Sequence, residues 1–228
     1  MLIIIDKKIP EQSKVKLRNF GLLIELETAG ITYGAISGHP DIFFTMIGNN
    51  LVVAPNLPKS VQKLLLERKI DVVTGIKHVG SKYPENASYN AVVTEDFLVH
   101  HQKITDSSIL KRCEGRKIVH VNQGYTRCNL IFISPRHVIT SDLGISAALT
   151  KLGVEVLFFN PDEILLPGFR SGFIGGACGL LDKKLFINGS TIFHKDGSKL
   201  REFCHHAGVD LVELYPGPLF DGGGIFFC

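Results

Sequence analysis

The feature that most constrains this chain is a recurring order of strand, strand, helix, strand. A unit of that kind cannot bury its apolar face alone and must pack against copies of itself. The clearest copy runs from Cys128 to Asn160. Asn129 to Ile133 is a β-branched and aromatic run, Ser134-Pro135-Arg136 a turn, and His137 to Thr140 a second strand. Ser141-Asp142 offers a helix cap, Ile145, Leu149 and Leu152 recur at helical spacing, and Gly153 separates that helix from a strand over Val154 to Phe159. The same order reads from Ile42 to Ile47, Leu51 to Val53, a helix opened by Pro58, and Ile70 to Val73, with Gly48-Asn49-Asn50 as the hairpin signal. It returns at Ala91 to Val93, Phe97 to Val99, a helix near Ile109 to Cys113, and Ile118 to Val121. A further copy starts at Phe173, includes Leu185 to Ile187 and a helix from Asp196 to about His206, and ends on Val209 to Leu214.

The two ends of the chain complete the pattern. Gly222 to Phe227 reads as a lone first strand, whereas Met1 to Glu27 reads as strand, helix (Glu11 to Asn19), strand. Joined, they make a fifth unit, which predicts an α/β fold: a closed five-bladed ββαβ propeller whose ring is sealed by the N-terminal segment pairing with the C-terminal strand. Closure protects sheet edges that an open array would expose. A doubly wound sheet also alternates strands and helices, but here hairpins precede the helices and no GxGxxG follows the first strand. A hydrophobic content of 45% over 228 residues is enough for one domain spanning 1–228.

Composition narrows the function classes. The net charge is +3, and no Lys/Arg block with interleaved aromatics suggests a nucleic-acid partner. Lys14 to Arg18, the most basic stretch, reads as a solvated helix face. No apolar run approaches the roughly 20 residues of a membrane span, and Met1 to Ile5 is too short for a signal peptide. Five cysteines without CxxC or zinc-type spacing read as free thiols, so a cytoplasmic location is expected, with no metal and no cofactor. His205-His206 and His100-His101 are adjacent pairs whose side chains diverge, which argues for structural roles. Asp196 reads as the N-cap of the last helix.

The five-unit plan resembles the penteins, the guanidino-group-modifying-enzyme fold of arginine and agmatine deiminases, dimethylarginine hydrolases and amidinotransferases. The ribosome anti-association factor shares that fold without an active site. Gly222-Gly223-Gly224-Ile225 is similar to the stretch preceding the His-Cys pair of the deiminases. Gly38-His39-Pro40-Asp41, Gly124 to Cys128, Gly172 to Gly176 and Pro218 to Asp221 resemble a bacterial family of uncharacterised pentein-fold proteins along nearly the whole chain. Aligned on the three glycines, the His and nucleophile positions of the enzymes fall on Phe226 and Phe227, with Cys228 one residue late and on the opposite face. The resemblance therefore implies the fold while the usual Cys/His pair is missing. It also implies a homodimer, since penteins commonly pair.

In such a ring the starts of the first strands meet at one mouth. That gathers His39, Asp41, Asn90, Arg127, Cys128, Phe173, Gly175, Gly176, Asp221 and Gly222. Asp41 and Asp221 match the donor fork of a guanidinium, and the glycines would let a ligand approach the backbone. Arg127 would balance the acids instead. The expected function is binding of a small guanidino- or amine-bearing cation. If the protein is catalytic, it is a hydrolase or transferase acting on a C–N bond, with Cys128 as nucleophile and His39 as acid/base. The alternative is a non-catalytic protein-interaction module.

Overall fold

The computed structural model describes residues 1–228. The chain opens with strand β1 (Leu2–Asp6), helix α1 (Glu11–Leu17) and strand β2 (Leu22–Leu26). A first complete unit follows: a single helical turn α2 (Pro40–Phe43), strands β3 (Phe44–Ile47) and β4 (Asn50–Val53), helix α3 (Lys59–Glu67) and strand β5 (Val72–Thr74). The second has β6 (Val92–Val93), β7 (Phe97–His100), α4 (Ser107–Arg112) and β8 (Lys117–His120). The third has the turn α5 (Thr126–Asn129), β9 (Leu130–Ser134), β10 (His137–Thr140), α6 (Leu143–Thr150) and β11 (Glu155–Phe158). After a short strand β12 (Ile164–Leu165), the fourth has β13 (Cys178–Leu181), β14 (Lys184–Ile187), α7 (Gly197–His206) and β15 (Asp210–Glu213). Strand β16 (Leu219–Phe220) pairs with β12, and β17 (Phe226–Phe227) is the last element.

Each unit forms one three-stranded sheet in which the middle strand runs antiparallel to the first and parallel to the third. The two ends of the chain build a sheet of the same kind, β17-β1-β2, with Ile3 opposite Phe227 and Ile4 opposite Phe226. Leu2 and Cys228 exchange two backbone hydrogen bonds of 2.8 Å, so the last residue is tied down. Because β1 is a middle strand, apolar groups are needed on both of its faces. That explains an unbroken Leu-Ile-Ile-Ile run with Ile3, Ile4 and Ile5 at 0% exposure, each contributing about 1.5–3 kcal/mol of burial.

Helices lie over the sheets and are held by the groups their sequences announce. Asp142 caps α6 by accepting from the Ile145 N–H at 2.8 Å, Ile145 and Leu149 are buried beneath it, and Gly153 leaves it at φ +74°. Asp106 caps α4 in the same way through Ser108 N–H. Asp196 occupies the N-cap position of α7, but its side chain makes no cap hydrogen bond; the carboxylate accepts from Asn160 N–H at 3.2 Å and pairs with Lys199. The basic face of α1 is only partly solvated, since Lys14 is buried and reaches Glu25 at 2.9 Å. No helix is long and apolar enough to cross a membrane.

The strand starts differ from the sequence-based expectation in a way that shapes the site. Residues 42–43 and 129 are not extended. Pro40–Phe43 and Thr126–Asn129 are helical turns, and Glu85–Ala87 and Gly175–Ala177 are 3-10 turns ahead of β6 and β13. Each turn re-aims the chain just before it enters the sheet, so polar side chains from separate units face one another. Hydrogen bonds link these entry segments in sequence. Asn90 Nδ2 donates to Asp41 O (3.1 Å), Arg127 N to Asn90 O (3.0 Å), and Arg127 Nη1 to Gly175 O (2.6 Å). Gly222 N and Gly224 N donate to Gly176 O, and Asp41 N donates to Gly223 O at 3.1 Å, returning to the starting segment.

Candidate functional site

The linked entry segments surround a buried polar cluster. Asp41 is wholly buried, on α2, and its Oδ2 lies 2.7 Å from Cys128 Sγ, from which it accepts. Asn90 fixes this pair from the second unit. Its Oδ1 accepts from the Cys128 N–H at 3.1 Å, while its Nδ2 lies 3.4 Å from the Cys128 sulfur. Asp221 is gripped by two backbone donors, Phe173 N at 2.9 Å and Gly223 N at 3.0 Å. His39 sits between two acids, with Nε2 3.8 Å from Asp6 Oδ2 and Nδ1 4.0 Å from Asp221 Oδ1. Two atoms of this cluster, Asp41 Oδ1 and His39 Nδ1, are buried without a hydrogen-bond partner.

Electrostatics follow from that burial. Removal from water, reinforced by the Asp221 charge, pushes the Asp41 carboxyl up to about 8. Burial likewise raises Asp221 to about 6, against the pull of its two backbone donors and of Arg127. It raises Asp6 to about 6, opposed by the Lys8 N–H and ammonium. Burial, and then the Lys8 charge, drive His39 down to about 3, so the imidazole is neutral at physiological pH. The Cys128 thiol is raised well above its ordinary value by burial and by the charges of Asp41 and Asp221, and it rests protonated.

The structure brings together His39, Asp41, Asn90, Arg127, Cys128 and Asp221, and reassigns the rest. Arg127 does not pair with the acids. Its guanidinium donates to Gly175 O and to Cys178 O (3.1 Å) and lies 5.4 Å from the Phe226 ring centre. Phe173 contributes its backbone N–H. Gly175, Gly176 and Gly222 do not open the backbone to a ligand, because the space beside each Cα is already filled. Gly175 packs against carbonyls of residues 127, 128 and 130, Gly176 against the Asp221 carboxylate, and Gly222 against Ile9. A side chain at Gly176 would overlap Asp221 Oδ1, so glycine there makes room for the acid. Gly223, at φ +68°, makes room for His39.

Asp6 is the member that sequence reasoning misses. It ends an all-apolar strand, and a carboxylate continuing a buried run is the available signal. Cys228 belongs elsewhere, half-buried with its sulfur 3.9 Å from Met46 Sδ. Asn86, in an Asn-Ala-Ser triplet, is fully buried and accepts from the Tyr125 hydroxyl at 2.8 Å, which leaves no room for a glycan.

His39, Asp41 and Cys128 each present a donor atom within 4.8 Å of the others. The 2.7 Å separation of Cys128 Sγ and Asp41 Oδ2 is, however, a hydrogen bond. It is shorter than the ~3.5 Å edge that zinc–sulfur and zinc–oxygen bonds of about 2.3 and 2.0 Å would impose. The residues fit a thiol–carboxylate pair better than a metal centre.

A cavity of about 210 Å³ reaches the cluster between Asp6, Lys8, His39, Leu166 and Asp221. That is below the roughly 300–1,000 Å³ of sites for drug-sized ligands and suits a small one. Tyr33 and Phe169, from the two loops over this side, meet with ring centres 5.7 Å apart. A larger cavity, about 420 Å³, lies further along the first strands, where Val92, Ile131, Phe132, Leu180 and Phe226 make it mostly apolar.

Over residues 4–226 the chain matches a family described as "Family of unknown function (DUF6873)". The chain belongs to that family. No curated protein matches it. Among solved structures it is similar to a dimethylarginine dimethylaminohydrolase from Pseudomonas aeruginosa complexed with citrulline, at TM-score 0.56 and 8% identity over 93% of this chain and 91% of that one. It is similar also to an agmatine deiminase from C. jejuni (0.54, 13%, covering 93% and 74%). A third is an amidinotransferase from Microseira wollei in the saxitoxin biosynthetic pathway (0.57, 10%, covering 93% and 87%). At these identities the likeness establishes the fold: the chain is α/β, of the pentein type.

Proposed function

We propose that the chain is a single five-bladed ring that binds a small guanidino- or amine-bearing cation between Asp41 and Asp221. The observation carrying this reading is Asp41 Oδ1, a buried carboxylate oxygen with no partner. Arg127, which would neutralise it, is committed to backbone carbonyls. Leaving such an atom unpaired costs about 1–3 kcal/mol or more, and a guanidinium supplies the missing donors bidentately. Linked entry segments and the paired chain ends support the closed ring. The neighbours named for dimethylarginine, agmatine and amidino-group chemistry support the ligand class.

The cation takes the place of a proton. Asp41, at about 8, holds its proton at pH 7 in the free protein and gives it up beside a cation. Titrating agmatine, arginine or a simple amine into the protein in buffers of different ionisation enthalpy is expected to show release of about one proton per ligand. Asp41→Asn is expected to lose that release and to weaken binding by at least ~30-fold, the low end for breaking a buried charge pair. No heat and no thermal stabilisation with any of these cations would sink the reading and favour a protein-interaction module.

A catalytic version rests on the Cys128–Asp41 contact. Asp41 is at hydrogen-bond distance from the thiol and is placed to take its proton, a role the sequence assigns to His39. The thiolate would attack the guanidino carbon, forming a C–S bond, and the amine would leave with a proton as the C–N bond breaks. Cys128→Ala is expected to abolish ammonia or amine release while agmatine still binds. Binding without release in the wild type would leave the protein a binder.

A further inference from the structure

A second constellation lies far from the polar cluster in the fold and joins two units. His137 begins β10, Glu155 begins β11 directly opposite it in the parallel pair, and His206 is the last residue of α7 in the next unit. His137 Nε2 is 3.4 Å from Glu155 Oε2, and His206 Nε2 is 3.8 Å from the same oxygen. One donor from each of the three residues lies within 4.8 Å of the other two. From this geometry we infer a binding site for a borderline divalent cation, Zn²⁺, held by His137, Glu155 and His206.

Zinc bonds of about 2.0–2.1 Å to nitrogen and oxygen set donors roughly 3.4 Å apart on a tetrahedron. The two edges to Glu155 therefore stand within a few tenths of an ångström of the required spacing. Only the edge between the imidazoles has to close, and His206 is free to do it because it is exposed at a helix end. His137 is the anchored partner. Its Nδ1 lies 2.8 Å from Ser134 Oγ, and its ring packs edge-on against Phe203, which aims Nε2 outward at Glu155. A hydroxyl on the far ring nitrogen is the kind of outer partner that orients metal-bound histidines. The fourth position faces solvent and would carry water. Neighbouring His205 is not part of the set, which is why the His205-His206 pair carries no metal signal on its own.

Bound there, the ion would tie the third unit to the fourth, independently of any ligand at Asp41. The test is to titrate the intact protein with Zn²⁺ alone, following the midpoint of heat unfolding and the stoichiometry, and to repeat it with Co²⁺ as a spectroscopic probe. The expected result is one ion per chain and a raised midpoint. Affinity is expected to fall by at least ~10-fold in His137→Ala, Glu155→Ala and His206→Ala, and by about 10-fold in Ser134→Ala. It is expected to be unchanged in His205→Ala and Cys128→Ala. Cobalt spectra should lack a thiolate charge-transfer band. Stabilisation that survives His206→Ala, or a thiolate band that disappears in Cys128→Ala, would overturn the assignment and place the ion elsewhere. All the substituted side chains except His137 and Ser134 are half-exposed or more, or are tested as controls, and Glu155→Gln keeps the test open should a His137 variant fail to fold.

Discussion

The first strands are polar where they begin and apolar further along, and the two ends behave as different materials. At the beginning, His39, Asp41, Cys128 and Asp221 pack together with Asp6 from the end of β1, and burial shifts the titration of each. Further along, Phe226, Phe132, Ile131 and Leu180 line a larger cavity. Arg127 is the boundary, donating to carbonyls on one side and lying against the Phe226 ring on the other. The contrast teaches that apolar burial and buried titratable groups are separated along the same strands. The apolar end supplies burial free energy, which offsets the cost of keeping carboxylates out of water at the other.

If that separation is right, the largest loss of stability comes from the apolar side. Phe226→Ala is expected to cost about 3–5 kcal/mol in urea unfolding while leaving proton release on agmatine binding intact. A change in the release would mean the two ends are coupled. Arg127→Ala is next, at about 3 kcal/mol, since it removes two hydrogen bonds from a charged donor. Unlike Phe226→Ala, it should also move the acids further up in pH, because the guanidinium is one of the charges holding Asp41 and Asp221 down.

The remaining effect is a gain. Asp41, Asp221 and Asp6 keep their protons to higher pH in the folded chain than in the unfolded one, so the folded state binds more protons between their ordinary values and about 6 to 8. Stability from these groups is therefore lost as pH rises through that window. Asp41→Asn is expected to flatten the upper part of the profile and to gain stability over the wild type as pH rises above about 8. A wild type whose stability is level from about pH 4 to 8 would contradict the buried-acid description.

Much of the architecture is legible because it is periodic. The Gly48-Asn49-Asn50 turn, the Asp142 cap and the unbroken apolar run of β1 each have a local cause, and the join between the chain ends follows from two incomplete units. What escaped was local but aperiodic. Ile42 and Phe43 favour strands, and the single helical turn Pro40–Phe43 is too short to show a 3.6-residue repeat. The partners of the site are far apart in the chain, Asp41 and Cys128 being 87 positions apart. No local pattern could report that Asp41, rather than His39, would meet the thiol. The glycines were legible as special, but their use was not: they accommodate Asp221 and His39, a fact that exists only once the units are stacked.

The contact between Tyr33 and Phe169 bears on how the proposed ligand would arrive. Asp41 is fully buried and lies outside the lining of the cavity of about 210 Å³ that reaches Asp6, His39 and Asp221. If separation of the two rings controls the last step to Asp41, observed association rates saturate at high ligand concentration, and trimming either ring raises the plateau. Rates that stay linear in ligand would show that the cavity alone admits it.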